Sequence, residues 1–298
     1  MSWLQLTIHS NSQLAPLWQN LLESWGAVSL TLVDGGDEPV FEPKPGQETL
    51  WSDTRIIALF ESEQNSQTEL QQLLVSDIAI NISGQTPKFQ IEKLEDQDWE
   101  RAWLDQFKPM HFGHHLWIVP TAYEPPEPDG INIILDPGLA FGTGTHPTTA
   151  MVLQWMSGHD FTDKAVIDYG CGSGILAVAA AKLGANKTLA VDIDPQAVTA
   201  TKENAKNNKV TGKIRTGLVD EFELPVVDVL LANILAQPLM LLADNFSHLL
   251  KPGAIIVLSG ILREQVADVT QAYTPFFDVS PALYTEDWAL LTATKKTK

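Results

Sequence analysis

The chain has 298 residues and 44% hydrophobic content, with no apolar run near the roughly 18 residues of a spanning helix, so it reads as globular, with room for one large and one small domain. Its formal net charge is −18, and residues 1–100 hold 16 Asp or Glu against 4 Lys or Arg. An acidic front third suits a basic protein partner and argues against nucleic acid as a direct ligand. Cys171 is the single cysteine, which excludes an intrachain disulfide and zinc sites built from cysteine clusters. The opening Met1-Ser-Trp-Leu-Gln-Leu6 lacks a basic region ahead of an apolar core, so no signal peptide is expected and the cytoplasm is the expected location.

In chain order, Leu4, Leu6 and Ile8 alternate as in a half-buried strand. Leu14, Leu17, Trp18, Leu21, Leu22 and Trp25 recur at helical spacing, and Gly26 suits the stop. Strands are expected over 27–33, 55–60 and 89–94, the first two separated by an acidic Pro/Gly-rich loop. Ser66 and Glu69 form a capping-box pattern opening a helix with Leu70, Leu73 and Leu74. The order βαββαβ predicts a small ferredoxin-like α+β domain over 1–94. Trp99, Trp103 and Phe107 share one helical face, and Pro109 stops the run, so 95–110 reads as a linker helix between domains.

Over 111–298 strands and helices alternate, which implies parallel βαβ units. Strands are expected near 165–170, 188–193, 214–218, 227–234 and 254–259, and helices near 174–184, 195–208, 237–250 and 262–273. Segments 276–284 and 288–294 read as a closing antiparallel pair, completing a mostly parallel, seven-stranded, Rossmann-like sheet.

Three segments carry chemistry. The strand Val166-Ile-Asp-Tyr169 feeds the turn Gly170-Cys-Gly-Ser-Gly174, and Asp192 ends the next strand about 20 residues on, where a carboxylate can accept ribose hydroxyls. Ile175 stands where a dinucleotide turn needs its third glycine, which disfavours an NAD-dependent dehydrogenase. Asp168 adds negative charge that suits a cofactor with a cationic amine and sulfonium, S-adenosylmethionine, better than a pyrophosphate. The second segment is the loop Asp136-Pro-Gly-Leu-Ala-Phe-Gly-Thr-Gly-Thr-His-Pro-Thr-Thr149. It lacks the Gly-Lys-Ser/Thr ending of a phosphate loop, and Pro147 fits the first turn of a helix whose start would favour a carboxylate near Thr148 and Thr149. In the third, Asn233 follows an apolar run, where a side-chain carbonyl could orient an amine. Cys171 reads as a small residue in a tight bend, not a nucleophile. His111, His114 and His115 have no carboxylate placed with them in a metal-binding pattern, so no metal is expected.

These segments, with Phe41-Glu-Pro43, Leu94-Glu-Asp-Gln-Asp-Trp-Glu-Arg101, Asp192-Ile-Asp-Pro195 and Asn233-Ile-Leu-Ala236, resemble the ribosomal protein L-11 methyltransferase family (PrmA), class I S-adenosylmethionine-dependent enzymes. The resemblance spans nearly the whole chain. It implies a substrate-recognition domain over 1–94, a linker helix over 95–110 and a methyltransferase domain over 111–298. It further implies trimethylation of lysine ε-amines and the N-terminal α-amine of the ribosomal protein, with cofactor contacts at Thr149, Gly170, Asp192 and Asn233. Methylation of another basic protein is the alternative. A lysine with a pKa of about 10.4 must shed its proton before attack, and no residue in the sequence identifies itself as the general base.

Overall fold

The computed structural model describes residues 3–36, 51–62, 65–94, 107–136, 142 and 144–297. The Phe41-Glu-Pro segment, residues 95–106 of the expected linker helix, and residues 137–141 and 143 of the glycine-rich loop lie outside the described residues. The chain divides into two compact units, Met1–Ala102 and Trp103–Lys298.

In the first unit, β1 (Trp3–Ser10), β2 (Ser29–Asp34), β3 (Thr54–Glu61) and β4 (Phe89–Leu94) form an antiparallel sheet in the order β2-β3-β1-β4. The alternation of β1 buries Leu4, Leu6 and Ile8 beside Ile56, Ala58 and Phe60 of β3. Helix α1 (Ala15–Ser24) adds Trp18 and Leu22 to that core, and α2 (Gln67–Leu74) adds Leu70 and Leu74. The capping box on α2 is complete: Ser66 Oγ accepts from Glu69 N at 3.2 Å, and Glu69 Oε2 accepts from Ser66 N at 2.8 Å. A further helix, α3 (Asp77–Ser83), has no counterpart in the sequence reading.

The second unit opens with a three-stranded sheet, also unforeseen. Strand β5 (Met110–Phe112) pairs antiparallel with β6 (Leu116–Val119), which pairs parallel with β7 (Ile131–Ile134). Helix α4 (Pro147–Ser157) follows. Then come β8 (Ala165–Tyr169), α5 (Ile175–Lys182), β9 (Lys187–Asp192), α6 (Pro195–Asn207), β10 (Ile214–Leu218), β11 (Val227–Asn233), α7 (Ala236–His248), β12 (Leu250–Leu262) and α8 (Val266–Tyr273). Three strands close the unit: β13 (Phe277–Val279), β14 (Leu283–Thr285) and β15 (Trp288–Lys295).

The main sheet runs β10-β9-β8-β11-β12-β15-β13, with β14 also paired to β15. The first five strands are parallel, and β15 is antiparallel to its neighbours. The sheet therefore has eight strands, not seven. The segment expected as one strand over 276–284 breaks in two: five residues, Val279 to Leu283, pass opposite only four of β15, Ala293 to Leu290. Pro281 lies in that break, where it has no N–H to offer a ladder. Chain direction across the sheet reverses at β8, whose neighbours are β9 on one side and β11 on the other. In open α/β sheets such a switch point leaves a crevice beyond the carboxyl ends of the strands, where ligands bind.

Candidate active site

The turn after β8 is built from backbone conformations that side chains disfavour. Gly170 and Gly174 have φ of 76°, and Gly174 serves as the N-cap of α5. A Cβ on Gly170 would collide with Cγ2 of Ile234, so the missing side chain lets β8 and β11 end side by side. Gly170→Ala should combine that collision with left-handed strain of about 1–3 kcal/mol. Calorimetry and thermal unfolding should show a lost or strongly weakened ligand response in a folded protein; unchanged binding would show that the turn yields freely.

With no side chain at the N-cap, α5 takes its cap from below. Asp168 is 1% exposed, and its Oδ2 accepts from Ala177 N at 2.9 Å. Its Oδ1 has no partner among the described residues. Burial pushes the Asp168 pKa up to about 7; the Ala177 N–H opposes this rise and the nearby Asp192 charge adds to it.

Asp192 at the end of β9 is held by three backbone donors. Oδ2 accepts from Gly172 N at 2.9 Å, and Oδ1 accepts from Ile193 N at 2.8 Å and Asp194 N at 3.0 Å. The carboxylate is thus tied to the glycine turn on one side and to the start of α6 on the other. Asp194 N-caps α6 by accepting from Gln196 N at 2.8 Å, with Pro195 in the first turn.

Thr149 and Asn233, 84 positions apart, meet directly: Asn233 Nδ2 donates to Thr149 Oγ1 at 3.0 Å. The bond uses the amide N–H and leaves the side-chain carbonyl as an acceptor. Thr149 lies in the first turn of α4, whose N-cap is His146. Ser173 Oγ donates to the Gly142 carbonyl at 2.6 Å, tying the described part of the glycine-rich loop to the turn.

Thr149, Gly170, Asp192 and Asn233 all line one cavity of about 400 Å³ at the switch point. Its volume falls within the range of roughly 300–1,000 Å³ for small-molecule sites. Gly142 lines it too, and its apolar wall is Ile193, Val219, Ile234, Leu235, Pro238 and Leu242. The sequence reading missed that wall. One signal was available: Ile193 sits between Asp192 and Asp194, an apolar side chain after a strand end, and it is 86% exposed.

Cys171 also lines the cavity, but burial, with Asp168 adding to it, pushes its thiol up to about 12. Thr201 Oγ1 donates to Cys171 Sγ at 3.2 Å. A thiol held this far from ionising is a poor nucleophile. The three histidines lie on and around the β5–β6 hairpin, where the His111 ring packs on Trp117 with centroids 4.5 Å apart.

The PrmA family model, described as ribosomal protein L11 methyltransferase, matches residues 2–296. A curated relative from Actinobacillus pleuropneumoniae carries the same description and is 46% identical over 297 residues, 99% of this chain and 100% of its own length. Another, from Pseudomonas paraeruginosa, is 44% identical over 297 residues, 99% of both chains. A solved structure of a ribosomal protein L11 methylase from Lactobacillus delbrueckii subsp. bulgaricus superimposes with a TM-score of 0.58 at 33% identity, over 64% of this chain and 100% of that one.

Proposed function

The chain belongs to the ribosomal protein L11 methyltransferase family, and from that premise we propose that Thr149, Gly170, Asp192 and Asn233 hold S-adenosyl-L-methionine in the cavity at the switch point. The enzyme methylates ribosomal protein L11, using S-adenosyl-L-methionine as donor. The observation that carries the site reading is that segments far apart in sequence converge on one cavity, with Thr149 and Asn233 in direct contact.

The cavity fits this cofactor on four counts. Its apolar wall suits a flat nucleobase, and Asp192 stands fixed at a strand end where a carboxylate accepts ribose hydroxyls. The bare backbone of Gly170 lets Ile234 of the apolar wall close in on the turn. Asp192 puts anionic charge beside the turn, and Asp168 adds to it on ionising, which suits a cationic ligand. When bound, the cofactor supplies a methyl group activated by its sulfonium.

The protein's own residues then have positioning work. Asn233, braced by Thr149, offers its side-chain carbonyl to an amine and so orients the nitrogen. An amine docked in this partly apolar crevice is disfavoured in its ammonium form, so docking itself helps a lysine shed its proton. Among the described lining residues none is placed as a general base, and the proton passes to water.

In this reading, 1–94 recognises the ribosomal protein, 95–110 links, and 111–298 transfers the methyl group. The antiparallel order β2-β3-β1-β4 with intervening helices supports a ferredoxin-like sandwich for the first of these. The products are trimethylated lysine ε-amines and a trimethylated N-terminal α-amine. The acidic first hundred residues suit direct contact with a basic protein rather than with RNA. No helix among the described residues is long and apolar enough to cross a membrane, and we place the enzyme in the cytoplasm.

Mass spectrometry of purified ribosomal protein L11, after incubation with the full chain and isotope-labelled cofactor, tests the product. Mass gains ending in multiples of three methyl groups are expected, on lysines and the N-terminus. Products that stop at one or two methyl groups would overturn trimethylation. Gains on another basic protein but none on L11 would favour the alternative substrate.

A further inference from the structure

Asn233 has a neighbour that grips the same helix. Across the β11–β12 pair its register partner is Ser259. Ser259 is fully buried, and its hydroxyl donates to the Thr148 carbonyl at 3.0 Å. Asn233 holds the side chain of the next residue, Thr149, at 3.0 Å. Two adjacent strand ends therefore clamp two adjacent residues of one helical turn.

A bulge accompanies this arrangement. The register of β12 against β15 slips between Leu258 and Ile261, and Gly260 in the slip has φ of 81°. A Cβ on Gly260 would collide with the backbone of Ile234, so the slip also seats β12 tightly beside the residue that follows Asn233. Bulges near active sites commonly re-aim a side chain in this way.

His146 completes the clamp. Its Nδ1 lies 2.7 Å from Thr148 Oγ1 and accepts from Thr148 N at 3.4 Å. Its ring stands edge-on to Trp288, with centroids 5.0 Å apart. Thr148 is thereby taken up by His146 and Ser259, and Thr149 alone of the pair lines the cavity.

We propose that Ser259, together with His146, is a positioning residue that fixes the first turn of α4 so that Thr149 and Asn233 meet the methionine end of the cofactor. The inference rests on the reading that those two residues contact that end. Neither Ser259 nor His146 lines the cavity, so both act through their neighbours.

Calorimetric titration of the full chain with S-adenosyl-L-methionine, and separately with adenosine, tests it. Adenosine lacks the methionine portion. Ser259→Ala should weaken the cofactor about tenfold, the scale of one lost hydrogen bond, and leave adenosine affinity unchanged. His146→Ala should do the same, and His146→Asn, which restores a good N-cap, should recover most of the loss. Ser259→Ala combined with Asn233→Ala should cost little more than Asn233→Ala alone, because both act through one contact. Equal weakening of both ligands by Ser259→Ala would make its role merely structural and overturn the proposal. So would full cofactor affinity in Ser259→Ala when Asn233→Ala has lost it, and the cofactor reading would then still stand. Full cofactor affinity in Asn233→Ala would instead remove the reading itself.

Discussion

An Asp192→Ala variant is expected to lose S-adenosyl-L-methionine affinity by about 100-fold or more while remaining folded. A hydrogen bond to a charged acceptor contributes about 1.5–3 kcal/mol, and one carboxylate takes both hydroxyls of a ribose, so at least about 3 kcal/mol is at stake. Each 1.4 kcal/mol or so is a factor of ten in the dissociation constant. The cost to folding is smaller. The Ile193 and Asp194 amides sit in an exposed stretch where water replaces the lost acceptor, and only the Gly172 amide is partly enclosed. Thermal unfolding should therefore fall by no more than a few degrees. Asp192→Asn keeps one acceptor oxygen and should bind with intermediate affinity. If Asp192→Ala binds the cofactor as the wild type does, the ribose assignment is wrong and the carboxylate serves only to tie the glycine turn to α6.

The convergence of the candidate site's polar members was legible in the sequence because they obey strong local rules. A glycine turn after an apolar strand, an acid at the next strand end and an Asn at a third must all converge wherever parallel strands share one carboxyl edge. The apolar wall obeys no such rule. Leu235, Pro238 and Leu242 look like ordinary residues of an amphipathic helix until the fold sets them beside Asp192. Ser259 was hidden for a similar reason: nothing local marks a serine near the end of an apolar strand, and its partner Thr148 is 111 positions away.

Secondary structure failed where local signals conflict. Asp77-Ile-Ala-Ile-Asn-Ile-Ser83 alternates like a strand, with three β-branched isoleucines. It folds as α3 because Asp77 sits in a first turn after Ser76, Gly84 supplies a left-handed end with φ of 73°, and Ala79 is the buried residue rather than the isoleucines. The sheet β5-β6-β7 was obscured by its short strands, of three or four residues each, too few for periodicity to register. Most of the parallel βαβ series was legible to within a residue or two, because its strands carry apolar runs and α5 and α6 have Gly or Pro at their starts. Strand β12, expected over 254–259, instead runs from Leu250 to Leu262, and α8 begins at Val266.

The second large effect expected is a pH-dependent one at Asp168. The unfolded chain should ionise this carboxyl near 3.9, and the folded protein near 7. Between those values the folded state holds a proton that the unfolded state has lost. The contribution of Asp168 to stability is therefore fully present below about pH 4 and declines as pH rises to about 7, by on the order of 4 kcal/mol. Desolvation outweighs the Ala177 N–H bond here because one carboxylate oxygen has a donor and the other has none. Asp168→Asn retains an acceptor for Ala177 and does not titrate. Urea denaturation of both proteins across this range should show the variant gaining on the wild type as pH rises. Other carboxylates titrate alike in both and cancel in the difference. A cationic ligand in the cavity should reverse the balance, because it favours the ionised carboxylate. Wild-type binding near pH 7 should then release a proton, giving heats that differ between buffers of high and low ionisation enthalpy, and Asp168→Asn should lose that dependence along with affinity. Parallel stability curves for the two proteins would mean that the buried carboxyl stays ionised. The anionic turn would then be a fixed charge and not one that the cofactor draws out.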